Sequence, residues 1–127
     1  MGMADKGIEV NAVITSADVT LDRDCFLSCW LMLDYGGSGQ GFGGYVLGGV
    51  SDTKAGRHEE QKNIAAIWLV GVLEAAGVTK LSDCVGKVVR VRKVSDFGDI
   101  LAIGHAIKND KWFEPRKAFA FMKQEAA

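Results

Sequence analysis

One proline, three cysteines and two histidines in 127 residues remove several classes of function at the outset. With Pro115 the sole proline, no proline-rich linker divides the chain, and residues 1–127 read as one domain with one core. Cys25, Cys29 and Cys84 form no CxxC pair and are odd in number. In "DCFLSCW", read as a strand, Cys25 and Cys29 share a face about 13 Å apart. That is too far for a disulfide or a shared metal, so the expectation is buried free thiols in a reducing cytosol. The HExxH motif is missing. "HEEQKN" (58–63) has no second histidine, which argues against zinc hydrolysis. No apolar run reads as a membrane span. The opening "MGMADKG" lacks signal-peptide features, and Lys6 stands where a myristoylation signal needs Ser or Thr. The expectation is a soluble, intracellular protein. Lys and Arg number 15 against 16 Asp and Glu, for a net charge of −1. The whole chain therefore exerts no pull on nucleic-acid polymers or anionic membranes, although "KVVRVRK" (87–93) is a local basic run.

What is present is ordinary globular composition, 48% hydrophobic and 24% charged, with two periodicities. "GIEVNAVITSADVTL" (7–21) alternates Ile8, Val10, Ala12 and Ile14 as a half-buried strand does. "CFLSCWLMLDY" (25–35) is a nearly unbroken apolar strand, and "GGYVLGG" (43–49) reads as a short third one. Together they predict an antiparallel meander. Ile64, Ile67, Trp68, Val72 and Ala75 fall on one stripe of a helix, read as Arg57 to Ala76. Glu59 and Glu60 favour its N-terminal end and Gly77 its αL termination. "KVVRVRKV" and "DILAIGHAIK" predict two more strands joined through "SDFGD", where Asp96 and Asp99 serve as turn formers. The tail 109–122 reads as irregular with one short helix after Pro115. The fold class is α+β: an antiparallel sheet of about five to six strands with one long helix, at a size where obligate oligomers are common.

Eight of the sixteen glycines lie between Gly36 and Gly49, in "GGSGQGFGGYVLGG". No Gly-Lys-Ser/Thr opens a helix here, which excludes a Walker loop. The stretch leads into a strand rather than a helix, which excludes a dinucleotide-binding fingerprint. Two readings stay open. The glycines make a bulged, closely packed hairpin, or their amides hold an anion where any Cβ would clash. No nucleophile–base pair can be named from spacing, so no enzymatic activity and no cofactor are expected. The residues are better suited to holding something anionic and aromatic. Arg57, Arg90, Arg92 and Arg116 offer guanidinium forks. Phe42, Phe97, Trp112 and Phe113 offer faces for a base, while Gln40 and Asn109 offer polar edges. Gly41 is the glycine whose replacement should block a ligand. His105, on a strand, reads either as a satisfied core histidine or as a ligand contact.

"FLSCWLMLDYGGSGQGFGGYVLGG" (26–49) and "AIGHAIKNDKWFEP" (102–115) resemble a family of small phage proteins with a "GGxGQGFGGYxL" stretch and a closing "GH…KDxWFxP" element. The family is identified as the first-described Thoeris anti-defence family, and the likeness spans about Phe26 to Phe119. The resemblance implies a signal sponge acting in the host cytoplasm. Such a protein captures glycocyclic ADP-ribose, made from NAD by a TIR-domain enzyme, and holds it uncleaved. It implies homodimers or hexamers built from dimers, and in some members capture of cyclic di- or trinucleotides at a separate site. The family's pocket uses an aromatic ring, an asparagine and arginines, for which Phe97, Asn109, Arg57 and Arg116 have the matching residue types. A protein-binding inhibitor of a host defence complex, of the anti-CRISPR kind, is the alternative.

Overall fold

The computed structural model describes residues 7–22, 26–53, 56–59, 64–95 and 98–126. Strand β1 (Ile8–Asp22) turns back into β2 (Phe26–Asp34), which pairs with β3 (Gly39–Thr53). These form the antiparallel meander that the alternating pattern predicts. The other edge of β1 pairs with β5 (Val88–Lys93), followed by β6 (Ile100–His105) and the short β7 (Trp112–Phe113). Strand β4 (Gly56–Glu59) adds to the far end of β3, giving the order β4-β3-β2-β1-β5-β6-β7 with every pairing antiparallel. Helix α1 (Ala65–Ala76) connects β4 to a one-turn 3-10 segment at Leu81–Cys84, and α2 (Pro115–Ala126) ends the chain. The class is α+β.

The sheet curls, and the aromatic core shows by how much. The Trp68 ring, 1% exposed, lies 5.1 Å from Phe42 on β3 and 5.5 Å from Phe113 on β7, centroid to centroid. Four strands separate β3 from β7, so in a flat sheet they would stand about 24 Å apart. One indole touches residues on both, which requires the sheet to wrap around α1. Tyr45 and Phe119 complete the cluster at 5.1 Å from each other. Irregular register in β1 between Ile14 and Ser16, and in β2–β3 around Ser28, supplies the bends, as bulges do. At one end the curl is fastened by a side chain: Gln40 Nε2 donates to the Gly98 carbonyl at 3.0 Å, joining β3 to the β5–β6 connection.

Helix α1 presents Trp68, Val72 and Ala75 to the concave face, as its stripe predicts. It ends where expected: Gly77 adopts φ +74°, its N–H reaches Glu74 O and the Val78 N–H reaches Leu73 O. This is a Schellman closure that strains any residue with a Cβ. Its beginning differs from the expectation. Arg57, His58 and Glu59 lie in β4, not in the helix, and no acidic residue occupies the first turn. The strand pairing Asp52↔Arg57 overrides the charge preference at that site. Instead, the Ile64 N–H donates to Leu47 O at 2.7 Å, tying the helix start to β3. The segment Ala65–Cys84 is apolar and long enough to cross a membrane by composition, which the sequence reading did not credit. Trp68, Val72, Ala75, Ala76 and Cys84 are buried in the core. The tail is more ordered than expected, with β7 and a twelve-residue α2.

Replacing Trp68 by Ala removes the ring that bridges the two ends of the sheet. Urea denaturation should show a loss of about 3–5 kcal/mol, and a loss below about 1 kcal/mol would show that the curl does not depend on this contact.

Candidate functional site

The glycine-rich stretch is mainly strand. Only residues 36–38 turn, closed by the Tyr35 N–H donating to Ser38 O at 2.8 Å, and β3 then runs through Gly39, Gly41, Gly43 and Gly44. On the outer face of the sheet Gly43 pairs with Trp30 and Gly41 with Met32. The Trp30 indole lies across them. A Cβ on Gly44 would stand 2.7 Å from Trp30 Cζ2, and one on Gly41 would stand 3.0 Å from Cζ3. Gly43 and Gly44 also adopt φ +135° and +81°, which L residues resist. The glycines thus bend β3 and seat a tryptophan that stays 47% exposed.

Beside this seat the curled sheet leaves a pocket of ≈ 330 Å³. β4 pairs only with residues 50–53 of β3, and β7 only with Ile103 and Gly104 of β6. Residues 39–49 of β3 and 100–102 of β6 therefore each have one edge with no strand partner among the described residues. The pocket lies between those edges. Gln40, Gly41, Phe42, Gly43 and Tyr45 form one side, Asp99, Ile100 and Leu101 the other, and Glu114 and Arg116 come from the start of α2.

The polar groups converge around Tyr45. Burial pushes its phenol above the usual range; Arg116 draws it back, while Cys29 and Asp99 push it further up. Both charged groups thus act on the same hydroxyl. Among the described residues, neither the Arg116 guanidinium nor the Asp99 carboxylate has a hydrogen-bond or ion-pair partner. Glu114 is 3.6 Å from Lys117, and its backbone carbonyl accepts the Lys117 and Ala118 N–H groups at 3.1 Å. Pro115 sits at the first helical position, where its missing N–H costs nothing. The positive end of α2 opens beside the pocket.

Of the residues singled out from sequence, the structure gathers Gln40, Gly41, Phe42 and Arg116 in this pocket. Two of them are engaged within the fold. Phe42 is 3% exposed and stacks on Trp68, offering the pocket an edge rather than a free face. Both ends of the Gln40 amide are engaged: Oε1 accepts from Tyr35 Oη at 2.8 Å and Nε2 donates to Gly98 O. Three others lie elsewhere. His105 is at the opposite end of β6, about 16 Å along the strand from Ile100. Its Nδ1 accepts the Ile107 and Lys108 N–H groups at 3.0 and 3.1 Å, and its ring covers Gly77. It fastens a turn to the end of α1. Asn109 is exposed in that turn. Trp112 lies flat over Gly104, with the guanidinium carbons of Arg90 and Arg92 at 5.0 and 4.1 Å from its centroid. The Arg57 side chain and Phe97 lie outside the described residues, as does Cys25. Sequence reading missed Trp30, Glu114 and the pocket role of Asp99. For Trp30 the signal was parity: Trp30 and Met32 alternate with the buried Cys29, Leu31 and Leu33, so they must face outward.

Among the described residues no group of three or more His, Cys, Asp or Glu is placed to hold a metal ion. Burial drives the Cys29 thiol from 9.0 up to about 12, against hydrogen bonds from the Tyr45 and Gly44 backbone. Burial, helped by Asp83, raises Cys84 as well. Neither is a thiolate nucleophile at neutral pH. No family model, curated protein or solved structure matches the chain.

The folded protein holds the Cys29 proton more tightly than the unfolded chain does. Its contribution is therefore complete below pH 9 and is lost as pH rises towards 12. Urea midpoints should be flat from pH 7 to 8 and fall by pH 10.5, with Cys29→Ala showing a shallower decline. An equal decline in both proteins would contradict this linkage.

Proposed function

We propose that this chain is a non-catalytic binding protein that captures a small cyclic nucleotide signal and holds it chemically unchanged. The resemblance places that activity in phage anti-defence, in the host cytoplasm. The signal is then glycocyclic ADP-ribose or a cyclic oligonucleotide. The observation that carries the reading is the pocket between the unpartnered edges of β3 and β6. There a guanidinium and a carboxylate that have no partner among the described residues, a phenol and a helix N-terminus surround a space of ≈ 330 Å³, within the range of about 300–1,000 Å³ for small-molecule sites. Arg116 offers a fork to ligand acceptors, and the seated Trp30 offers a flat face for a ring. A sponge needs complementarity rather than a nucleophile, and the two described thiols are held protonated.

A homodimer, or a hexamer of dimers, is the assembly that accompanies this reading. Val13, Met32 and Val88, 37–44% exposed, form an apolar area on the outer face of the sheet that a second copy would cover. The same area favours the second reading, an inhibitor that binds a host defence protein. Depletion assays separate them. Purified protein is mixed with glycocyclic ADP-ribose, cyclic di-AMP or cyclic di-GMP, and the free ligand is measured before and after heat denaturation. Depletion followed by release of intact ligand is expected. Altered ligand would mean an enzyme, and no depletion of any ligand would favour the protein-binding reading. Arg116→Ala should weaken capture at least about tenfold. Gly41→Val, which drives a side chain into the Trp30 ring, should abolish capture while the circular dichroism stays that of a folded protein.

A further inference from the structure

We infer that the base admitted to this pocket is guanine, so that the captured signal is a guanine-bearing cyclic nucleotide. The inference rests on the sequestering reading above and narrows its ligand. Its starting point is charge. The pocket's ionised side chains are Asp99, Glu114 and Arg116, two carboxylates against one guanidinium. A phosphate placed between the carboxylates would be repelled at close range. The ligand therefore enters base first, leaving its phosphates towards the mouth.

The hydrogen-bonding capacity of the walls then selects among bases. An ionised carboxylate only accepts, and a guanidinium only donates. Asp99 is unpartnered among the described residues, and Glu114 has one oxygen turned to Lys117. The two oxygens of Asp99 ask for adjacent donors. Arg116, also unpartnered among the described residues, asks for adjacent acceptors. Guanine presents both sets on one ring: N1–H beside N2–H₂, and O6 beside N7. Adenine offers the N6 amino group next to a bare N1, whose lone pair would face the carboxylate. Cytosine has the same conflict at N3, and uracil has one donor between two carbonyls. Gln40 cannot compensate for a mismatched edge, because its amide is committed at both ends. Tyr45 can donate or accept and so does not discriminate. Of the signals considered, glycocyclic ADP-ribose carries adenine; a cyclic dinucleotide containing guanine meets the pocket's polarity.

The test is equilibrium dialysis of the full chain with four probes: GMP, AMP, cyclic di-GMP and cyclic di-AMP. Each guanine compound should bind about tenfold or more tighter than its adenine counterpart, the discrimination expected of one good bidentate pair. Asp99→Asn turns one acceptor atom into a donor and should bring the GMP:AMP ratio close to one. Asp99 is exposed, so the variant should keep the wild-type unfolding midpoint. Glu114→Gln should narrow the ratio less, since one Glu114 oxygen is already turned to Lys117. Adenine binding equal to or tighter than guanine binding overturns the inference and leaves the sequestering reading standing. A guanine preference that survives in both variants overturns the assignment to these carboxylates. No binding of any probe overturns the inference, and the depletion assay with glycocyclic ADP-ribose then decides the sequestering reading separately.

Discussion

The contact on which the structure depends is the one Trp68 makes with both ends of the sheet. An antiparallel sheet of this size, left open, exposes one apolar face and two edges. A single indole held by Phe42 and Tyr45 on one side and Phe113 on the other draws the ends together over α1. Close approach elsewhere follows from this. Gly71 on α1 has no side chain because Phe113 occupies the space where a Cβ would stand. The chain keeps glycine at the helix surface nearest β7, despite a propensity cost of about 1 kcal/mol.

The curl also gives the glycine stretch its meaning. Close backbone packing and ligand access are open alternatives from sequence, and in the structure the glycines pack closely against Trp30 and the β2 backbone. Gly41, Gly43 and Gly44 let Trp30 lie against the β3 backbone and let β3 bend. The bend aims the edge of β3 at β6, and the pocket is the gap that remains.

Most of the fold was legible because it is written in periodicity. Ala12 and Ile14 in β1 and Trp68, Val72 and Ala75 in α1 fall on the faces their spacing predicts. The start of α1 was misplaced because charge preference near a helix end is worth only about 0.3–1 kcal/mol, less than the strand pairing that takes Arg57 and His58. The site was only partly legible. Arg116, Gly41, Phe42 and Gln40 were found by residue type. Their companions Asp99 and Glu114 are some 60 to 70 positions further along the chain than β3, and local patterns carry no information on how far a sheet curls. For Trp112 and His105 residue type left two readings open, a ligand contact or a place within the fold. Each has chemistry suited to a ligand, and each is engaged within the fold, by two arginines and by two backbone amides.

Tight capture places a condition on such a site that this architecture meets. Holding a small ligand at nanomolar concentration requires about −12 kcal/mol, which leaves little for ordering the walls during binding. Here Phe42 and Tyr45 are braced against Trp68, Gln40 is fixed at both ends, and Glu114 and Arg116 flank Pro115, the first residue of α2. Among the described residues the charged ends of Asp99 and Arg116 have no partner, which leaves them to the proposed ligand. Under that proposal stability and recognition would be linked through one ring. Loosening Trp68 frees the β3 wall, so a core change about one side chain away from the pocket should weaken capture before it unfolds the protein.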